Sequence, residues 1–507
     1  MCKLSLAFKG SVIAVFTLLL LGFITTPTVV SAQTGCDAAL LGADMLSLQD
    51  APTQVTSAAI VPAAGTLPEY CRVTGKILPG TDYDITFELR LPTNWNKKFY
   101  YYGCGGFCGN TNAINTANVA LARGYATTAS DMGTHALSAI NGAWAYNNRE
   151  REFNFGFRGT HATTLAAKTL IQKYYGKSPV RSYFQGCSTG GRQGMVEAQR
   201  YPDDFNGIIS GAYVIPYTPI GAVHLCWSGT ANLDENGNPI MSVTKLPMLH
   251  EAVLDACDGI DGLVDGIIED PRKCHFDPAV LQCSGTPGPD CLTADEVKVV
   301  RRLYERPHDS KGRPLIPGAP EPGSELLWNL YMSDSGPSVA YLFGTDFVRY
   351  VAFENDPGPD FTCRDFDWDI DPPRLAFTEA IYGASNPDLR AFRNRGGKLI
   401  AFQGWSDDQV NPRNTIDYYE TAVKSMGGLI ETQKFFRLFM IPGMKHCSGG
   451  DGATQIDYLT ALEQWVEHGI APCRLVASHL SPNRRSRVHP FRLPVPDRIA
   501  VVTQKEE

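Results

Sequence analysis

Short apolar runs recur along this chain, and each ends in a turn rich in glycine or polar residues. Phe99-Tyr100-Tyr101-Tyr102 leads into Gly103-Cys104-Gly105-Gly106, and the run from Val180 to Gln185 into Gly186-Cys187-Ser188-Thr189-Gly190. Lys398 to Gln403 leads into Gly404-Trp405-Ser406-Asp407-Asp408, and Phe435 to Ile441 into Pro442-Gly443-Met444-Lys445-His446. Runs of this length, bounded by such turns, predict strands. Helical patterns lie between them. Arg192 to Arg200 is stopped by Pro202, Asn411-Pro412 opens another helix, and an amphipathic one runs near Gln455 to His468. The alternation predicts an α/β fold.

The turn at Ser188 carries chemistry. A small-x-Ser-x-small pentapeptide between a strand and a helix is a nucleophile elbow: the glycines permit a sharp turn that lifts the serine hydroxyl clear of the sheet. The pentapeptide alone is weak, because 48 glycines in 507 residues make chance matches common. Its cysteine sharpens it. Ser188 follows Cys187 and His446 precedes Cys447, so a serine and a histidine that meet would place those cysteines to join. The alternative is that the two pair elsewhere.

A triad also needs an acid, and hydrolases of the α/β class use the order Ser, Asp or Glu, His. Asp407, just past a strand, is the first choice and Asp408 the neighbouring alternative; a plain helix-capping acid is the competing reading. Ser188 would attack an acyl carbon, His446 would take and return its proton, and Asp407 would hold the imidazole tautomer. An oxyanion hole is expected from the backbone N–H of Thr189 and from the turn after Tyr102, with Gly105 first and Gly106 second.

The first residues change the compartment. Lys3 and Lys9 precede an apolar stretch from Val12 to Phe23, and Val30-Ser31-Ala32 supplies small residues, which predicts a secretory signal peptide over 1–32. A secreted or periplasmic setting permits disulfides. Loss of Cys2 from the 14 cysteines leaves 13, an odd number. The formal charge of −8 becomes −10 without Lys3 and Lys9, which argues against nucleic acid as a partner. No later run predicts a membrane span. Removing 32 of 507 residues leaves about 475, enough for a core and a sizeable insertion.

One segment stands apart. Asp258-Gly259-Ile260-Asp261-Gly262-Leu263-Val264-Asp265-Gly266-Ile267 concentrates carboxylates and turn glycines, bracketed by Cys257 and Cys274. Three acids converging in one loop favour a hard cation such as Ca²⁺; the alternative is a solvated acidic loop. His135 and His161 are expected to be structural. No histidine pair has the spacing of a zinc motif, and no organic cofactor is expected.

Taken together, these blocks resemble the tannase and feruloyl esterase family of secreted α/β-hydrolases. The resemblance rests on Tyr102 to Gly109, Ser130 to His135, Tyr183 to Gly194, Glu197 to Pro202, Gly404 to Asp407 and Gly443 to Cys447. It implies an α/β-hydrolase core in two parts, 33–212 and 393–507, with a large lid inserted over 213–392. It implies a triad of Ser188, Asp407 and His446 with a Cys187–Cys447 bond. It further implies bonds Cys36–Cys71, Cys257–Cys274 and Cys283–Cys291, and a structural Ca²⁺ held by Asp258, Asp261 and Asp265 with the carbonyls of Leu263 and Ile267. Cys104, Cys108, Cys226, Cys363 and Cys473 remain without an assigned partner. The chain departs from the family at Asn206 and Tyr213, and at Arg485 to Phe491, where a C-terminal cysteine pair is often found.

The expected activity is hydrolysis of esters of aromatic acids, a feruloyl esterase first, then a tannase acting on gallates, then a hydrolase of terephthalate monoesters. A catalytically silent secreted calcium-binding or carbohydrate-binding protein and a serine peptidase are the competing classes. The expected partner is a small ester, with no nucleic acid and no membrane after signal cleavage. Oligomeric state stays open.

Overall fold

The computed structural model describes residues 35–479 and 498–503. The expected signal peptide and the departure at Arg485 to Phe491 lie outside the described residues. The strands are β1 (Thr53–Val61), β2 (Tyr70–Ile77), β3 (Ile85–Pro92), β4 (Lys98–Tyr102), β5 (Ala126–Ser130), β6 (Arg181–Cys187), β7 (Gly207–Gly211), β8 (Lys398–Gly404) and β9 (Phe436–Ile441). They form one sheet in the order β1-β2-β3-β5-β4-β6-β7-β8-β9. From β1 to β5 the pairing is antiparallel, and from β5 across to β9 it is parallel. This is an α/β-hydrolase sheet.

The parallel half is covered on both faces, so its strands are largely buried rather than alternating between buried and exposed positions. Every residue of β5 and β7 is buried. Main helices are α1 (Gly159–Tyr175), α2 (Thr189–Arg200), α3 (Leu246–Cys257), α4 (Ala294–Tyr304), α5 (Val339–Tyr350), α6 (Pro412–Ser425) and α7 (Tyr458–His468). The predicted Arg192 helix thus begins three residues earlier, directly behind Ser188. The pattern near Gln455 divides: Gln455–Ile456 joins a small separate sheet, and the helix starts at Tyr458, capped by the Asp457 side chain.

Topology explains where a site can form. The chain runs from β4 out to β5 on one side, then returns to β6 on the other, so the order reverses at β4. In open α/β sheets the crevice at the carboxyl ends of strands beside such a reversal receives ligands. The register levels those ends: Tyr102 opposes Gln185, Cys187 opposes Gly211, and Gly404 opposes Ile441.

Between the adjacent strands β7 and β8 the chain makes its long excursion, and no strand forms there among the described residues. That segment packs an apolar core of its own around Leu249, Val300, Leu303, Trp328 and Tyr331. A second cluster joins it to the sheet domain through Phe107, Trp144, Phe155, Tyr217 and Phe347. The described disulfides are Cys36–Cys71, Cys104–Cys108, Cys187–Cys447, Cys226–Cys363, Cys257–Cys274 and Cys283–Cys291. Two of these, Cys104–Cys108 and Cys226–Cys363, join residues that sequence reading left without partners.

Helix α7 covers one face of the sheet through Leu462, which is fully buried and lies over Gly207 closely enough that a Cβ there would come within 2.8 Å of it. Leu462→Ala leaves a cavity at a site that backbone cannot easily refill. It should cost about 2–5 kcal/mol, read as a melting temperature lower by several degrees with activity preserved at low temperature. An unchanged melting temperature would show that α7 is not anchored there.

Candidate active site

Strand β6 delivers Ser188 on a sharp turn. Its backbone sits at φ 62°, ψ −127°, a region a non-glycine residue occupies at a cost of roughly 1–3 kcal/mol. The turn is tight enough to forbid side chains around it. A Cβ on Gly186 would lie 2.4 Å from the Gly190 carbonyl oxygen, and one on Gly190 would lie 3.1 Å from that of Cys104. The Ser188 amide is fixed by the Gly211 carbonyl of β7 at 3.0 Å. Helix α2 starts at Thr189, so that residue's N–H points out of the first turn without an intrahelical acceptor.

Beyond β8, Asp407 is completely buried. Its carboxylate accepts from Gln403 Nε2 at 2.8 Å and from the amides of Gln409 and Val410 at 2.9 and 3.0 Å. His446, on the loop after β9, places Nδ1 at 3.0 Å from both Asp407 oxygens. With Nδ1 donating to the carboxylate, Nε2 is the nitrogen left to act as a base. Burial lowers the imidazole's affinity for a proton, but the Asp407 charge and hydrogen bond, with Asp408 behind them, outweigh it and hold the pKa above the ordinary 6.5. Asp408 makes no such contact with the imidazole. Burial and the neighbouring Asp407 charge push its carboxyl up to about 7.

Ser188, His446, Cys187 and Cys447 line one cavity of about 560 Å³, together with Thr189, Gly105 and Gly106. The turn after β4 has its amides mostly occupied: Gly103 by Gln185, Phe107 by Ala139, Cys108 by Gly105 and Gly109 by Asp131. The amides of Gly105 and Gly106 have no such acceptor among the described residues. The inserted segment supplies much of the remaining wall, including Val214, Ile220, Leu225, Leu330, Val339 and Phe343. No Lys, Arg, Asp or Glu lines the cavity.

The acidic loop is knit together by its own backbone amides. Asp258 is buried and accepts from the amides of Asp265, Gly266 and Ile267 at 3.2, 2.8 and 3.2 Å. Asp261 accepts from Leu263 at 2.8 Å, and Asp265 from Ile267 at 3.2 Å. The loop's own amides engage all three carboxylates, which do not gather within 4.8 Å as one group. The donor set itself, hard oxygens in one loop closed by Cys257–Cys274, suits Ca²⁺.

The group that does gather within 4.8 Å among the described residues is His161, Glu197 and Asp204. Sequence reading had no signal for it, because the three are far from any ligand spacing. His161 Nδ1 lies 2.6 Å from Asp204, its ring stacked on Tyr201 at 3.9 Å. Burial and the Asp204 charge hold the Glu197 carboxyl well above its usual range. His135 bridges Asp84 and Asp131 at 2.9 and 3.3 Å. A histidine that sequence reading passed over, His224, reaches from the inserted segment to the stretch just past Asp407, through Asn411 Nδ2 at 3.3 Å. Burial keeps it neutral, with a pKa lowered to about 4.

A sequence model of tannase and feruloyl esterase matches residues 71–494. The chain is 34% identical over 481 residues to mono(2-hydroxyethyl) terephthalate hydrolase of Piscinibacter sakaiensis, covering 82% of this chain and 79% of that one. It is 31% identical over 425 residues to a probable feruloyl esterase B-2 of Neosartorya fischeri, covering 80% and 78%. Among solved structures, feruloyl esterase B of Aspergillus oryzae superposes with a TM-score of 0.79 at 26% identity, covering 89% of this chain and 92% of that one.

Two measurements follow from the geometry around the imidazole. A base must be neutral to accept a proton, and the His446 pKa is raised, so turnover should fall with decreasing pH along a limb displaced above the ordinary histidine value of 6.5. A limb centred below 6 would contradict the Asp407 contact. Asp407→Asn should lower kcat by roughly 10³–10⁴, and Asp408→Asn by far less; the reverse order would move the orienting role to Asp408.

Proposed function

The chain belongs to the tannase and feruloyl esterase family and is a carboxylic ester hydrolase; from that premise we propose that Ser188, His446 and Asp407 hydrolyse esters of aromatic acids through an acyl-enzyme. The observation that carries this is the imidazole held on a buried carboxylate in the cavity that contains the strained serine. Ser188 Oγ attacks the ester carbonyl as its proton passes to His446 Nε2. The oxyanion is received by the N–H groups of Thr189 and Gly105. The C–O bond breaks, the alcohol leaves with the proton from His446, and the acyl group stays on Ser188. Water then gives its proton to His446 and attacks the acyl carbon. Collapse releases the acid and returns the proton to Ser188.

The apolar wall favours a feruloyl-type substrate over a terephthalate monoester. A hydroxycinnamate ring is uncharged, whereas a terephthalate monoester carries a second carboxylate. Burying that charge without a cation costs several kcal/mol, and no cationic side chain lines the cavity. We read residues 213–392 as the lid that shapes this wall. The enzyme would work in an oxidising space, secreted or periplasmic, consistent with the disulfides on both sides of the site. No helix among the described residues is long and apolar enough to cross a membrane.

Asp258, Asp261 and Asp265 with the carbonyls of Leu263 and Ile267 would hold a Ca²⁺ that braces the lid. Such an ion would supply cohesion to a loop of like charges, while the acyl transfer is completed by the chain's own nucleophile and base.

Across a panel of methyl ferulate, methyl gallate and mono(2-hydroxyethyl) terephthalate, kcat/KM should be highest for the ferulate. It should exceed that for the terephthalate monoester at least about a hundredfold. Preference for the monoester would overturn the substrate assignment. Melting temperature should rise with free Ca²⁺, and Asp261→Ala or Asp265→Ala should abolish the rise while turnover persists at low temperature. Melting that ignores both Ca²⁺ and chelator would remove the ion from the account.

A further inference from the structure

Cys104 and Cys108, which motif reasoning left unassigned, bond to each other with Cα atoms 5.3 Å apart. The bond closes a small ring around Gly105, Gly106 and Phe107. Both glycines of the ring line the catalytic cavity. An oxyanion donor works by pointing where charge will appear without having to reorganise. Two consecutive glycines are poorly suited to that, because glycine has the most backbone freedom to lose. Gly106 adopts φ +55°, and a Cβ there would lie 2.3 Å from the Ala139 carbonyl oxygen, so position 106 cannot be stiffened by a larger residue. The ring restricts it instead.

The ring is tied down on both sides. Gln193 on α2 aims Nε2 at its sulfurs, 3.1 Å from Cys104 Sγ and 3.6 Å from Cys108 Sγ. The first amide of that helix is the Thr189 donor, so the helix that carries one donor also holds the ring that carries the other. On the far side, Phe107 is completely buried against Trp144, Phe155, Phe343 and Phe347, with ring centroids 5.0–6.1 Å apart. Phe343 and Phe347 lie on α5 of the inserted segment. Inside the ring the Cys108 amide donates to the Gly105 carbonyl at 3.0 Å, closing a turn that leaves the Gly105 N–H unengaged.

We propose that the Cys104–Cys108 disulfide and Gln193 are positioning residues that fix the Gly105 N–H relative to the Thr189 N–H, so that the oxyanion hole is built before substrate arrives. This rests on the reading of Ser188 as nucleophile with Gly105 as second donor. The device acts on the transition state and leaves the ground-state binding wall in place.

The test compares Cys104→Ala/Cys108→Ala with Cys283→Ala/Cys291→Ala, another short disulfide ring on the inserted segment. The first pair should lower kcat for methyl ferulate roughly 10–100-fold, bounded by the 10²–10³ lost with a whole oxyanion donor. KM and the inhibition constant of ferulate should change less than about threefold, while affinity for an aryl boronic acid falls in proportion to kcat/KM. The second pair should leave kcat unchanged. Gln193→Met should give a smaller loss of the same kind, and it decides the matter if the double variant does not fold. Folded variants with wild-type kcat, or a kcat loss matched by an equal loss of ferulate affinity, would overturn the proposal. Turnover surviving in Ser188→Ala would instead overturn the underlying triad, a separate outcome.

Discussion

The site depends on one tether. Cys187 precedes the serine at the end of β6, Cys447 follows the histidine on the loop after β9, and a disulfide joins them across 260 residues of chain. Sheet pairing alone cannot fix that relation, because β7 and β8 lie between the two strands. The bond spans what the hydrogen-bond ladder leaves loose. Closing so long a loop also removes freedom from the unfolded chain, worth about 5 kcal/mol in the chain-entropy picture. The strained backbone at Ser188, at φ 62°, draws on the same store of stability.

With the serine and histidine loops joined, the remaining elements serve either charge or shape. Asp407 carries a buried negative charge that four donors satisfy, Gln403, two backbone amides and the imidazole itself. Its neighbour Asp408 has no comparable shell, and its carboxyl is pushed up to about 7. Of the two adjacent acids, Asp407 is the one in hydrogen-bond contact with His446. Shape comes from the inserted segment. It leaves the sheet at β7, builds its own apolar core, and returns an apolar wall over the serine.

Much of this was legible in the sequence, for definite reasons. The strand runs ending at Tyr102, Gln185, Gln403 and Ile441 are short, apolar and bounded by turn residues, and their ends set where chemistry can sit. Ser188, Asp407 and His446 each stand just past such a run. What stayed hidden was contact that crosses the fold without leaving a local pattern. The Cys104–Cys108 ring looks like two unpaired cysteines until the Gly105–Gly106 turn folds back on itself. His224 and the Glu197–Asp204 pair acquire meaning only from burial, which no spacing announces. The acidic loop announced its composition but not its wiring: the backbone amides of Asp265, Gly266 and Ile267 donate to Asp258, and that of Leu263 to Asp261, contacts that no spacing of acids predicts.

The central claim is that catalysis passes through a covalent ester on Ser188. Rapid acid quenching during turnover of methyl ferulate, followed by intact-mass and peptide analysis, addresses it directly. The account predicts a feruloyl adduct on the peptide containing Gly186-Cys187-Ser188-Thr189-Gly190, attached at Ser188, that decays as free ferulate appears. Steady hydrolysis with no adduct on Ser188 at any quench time, or an adduct on another residue, would contradict it.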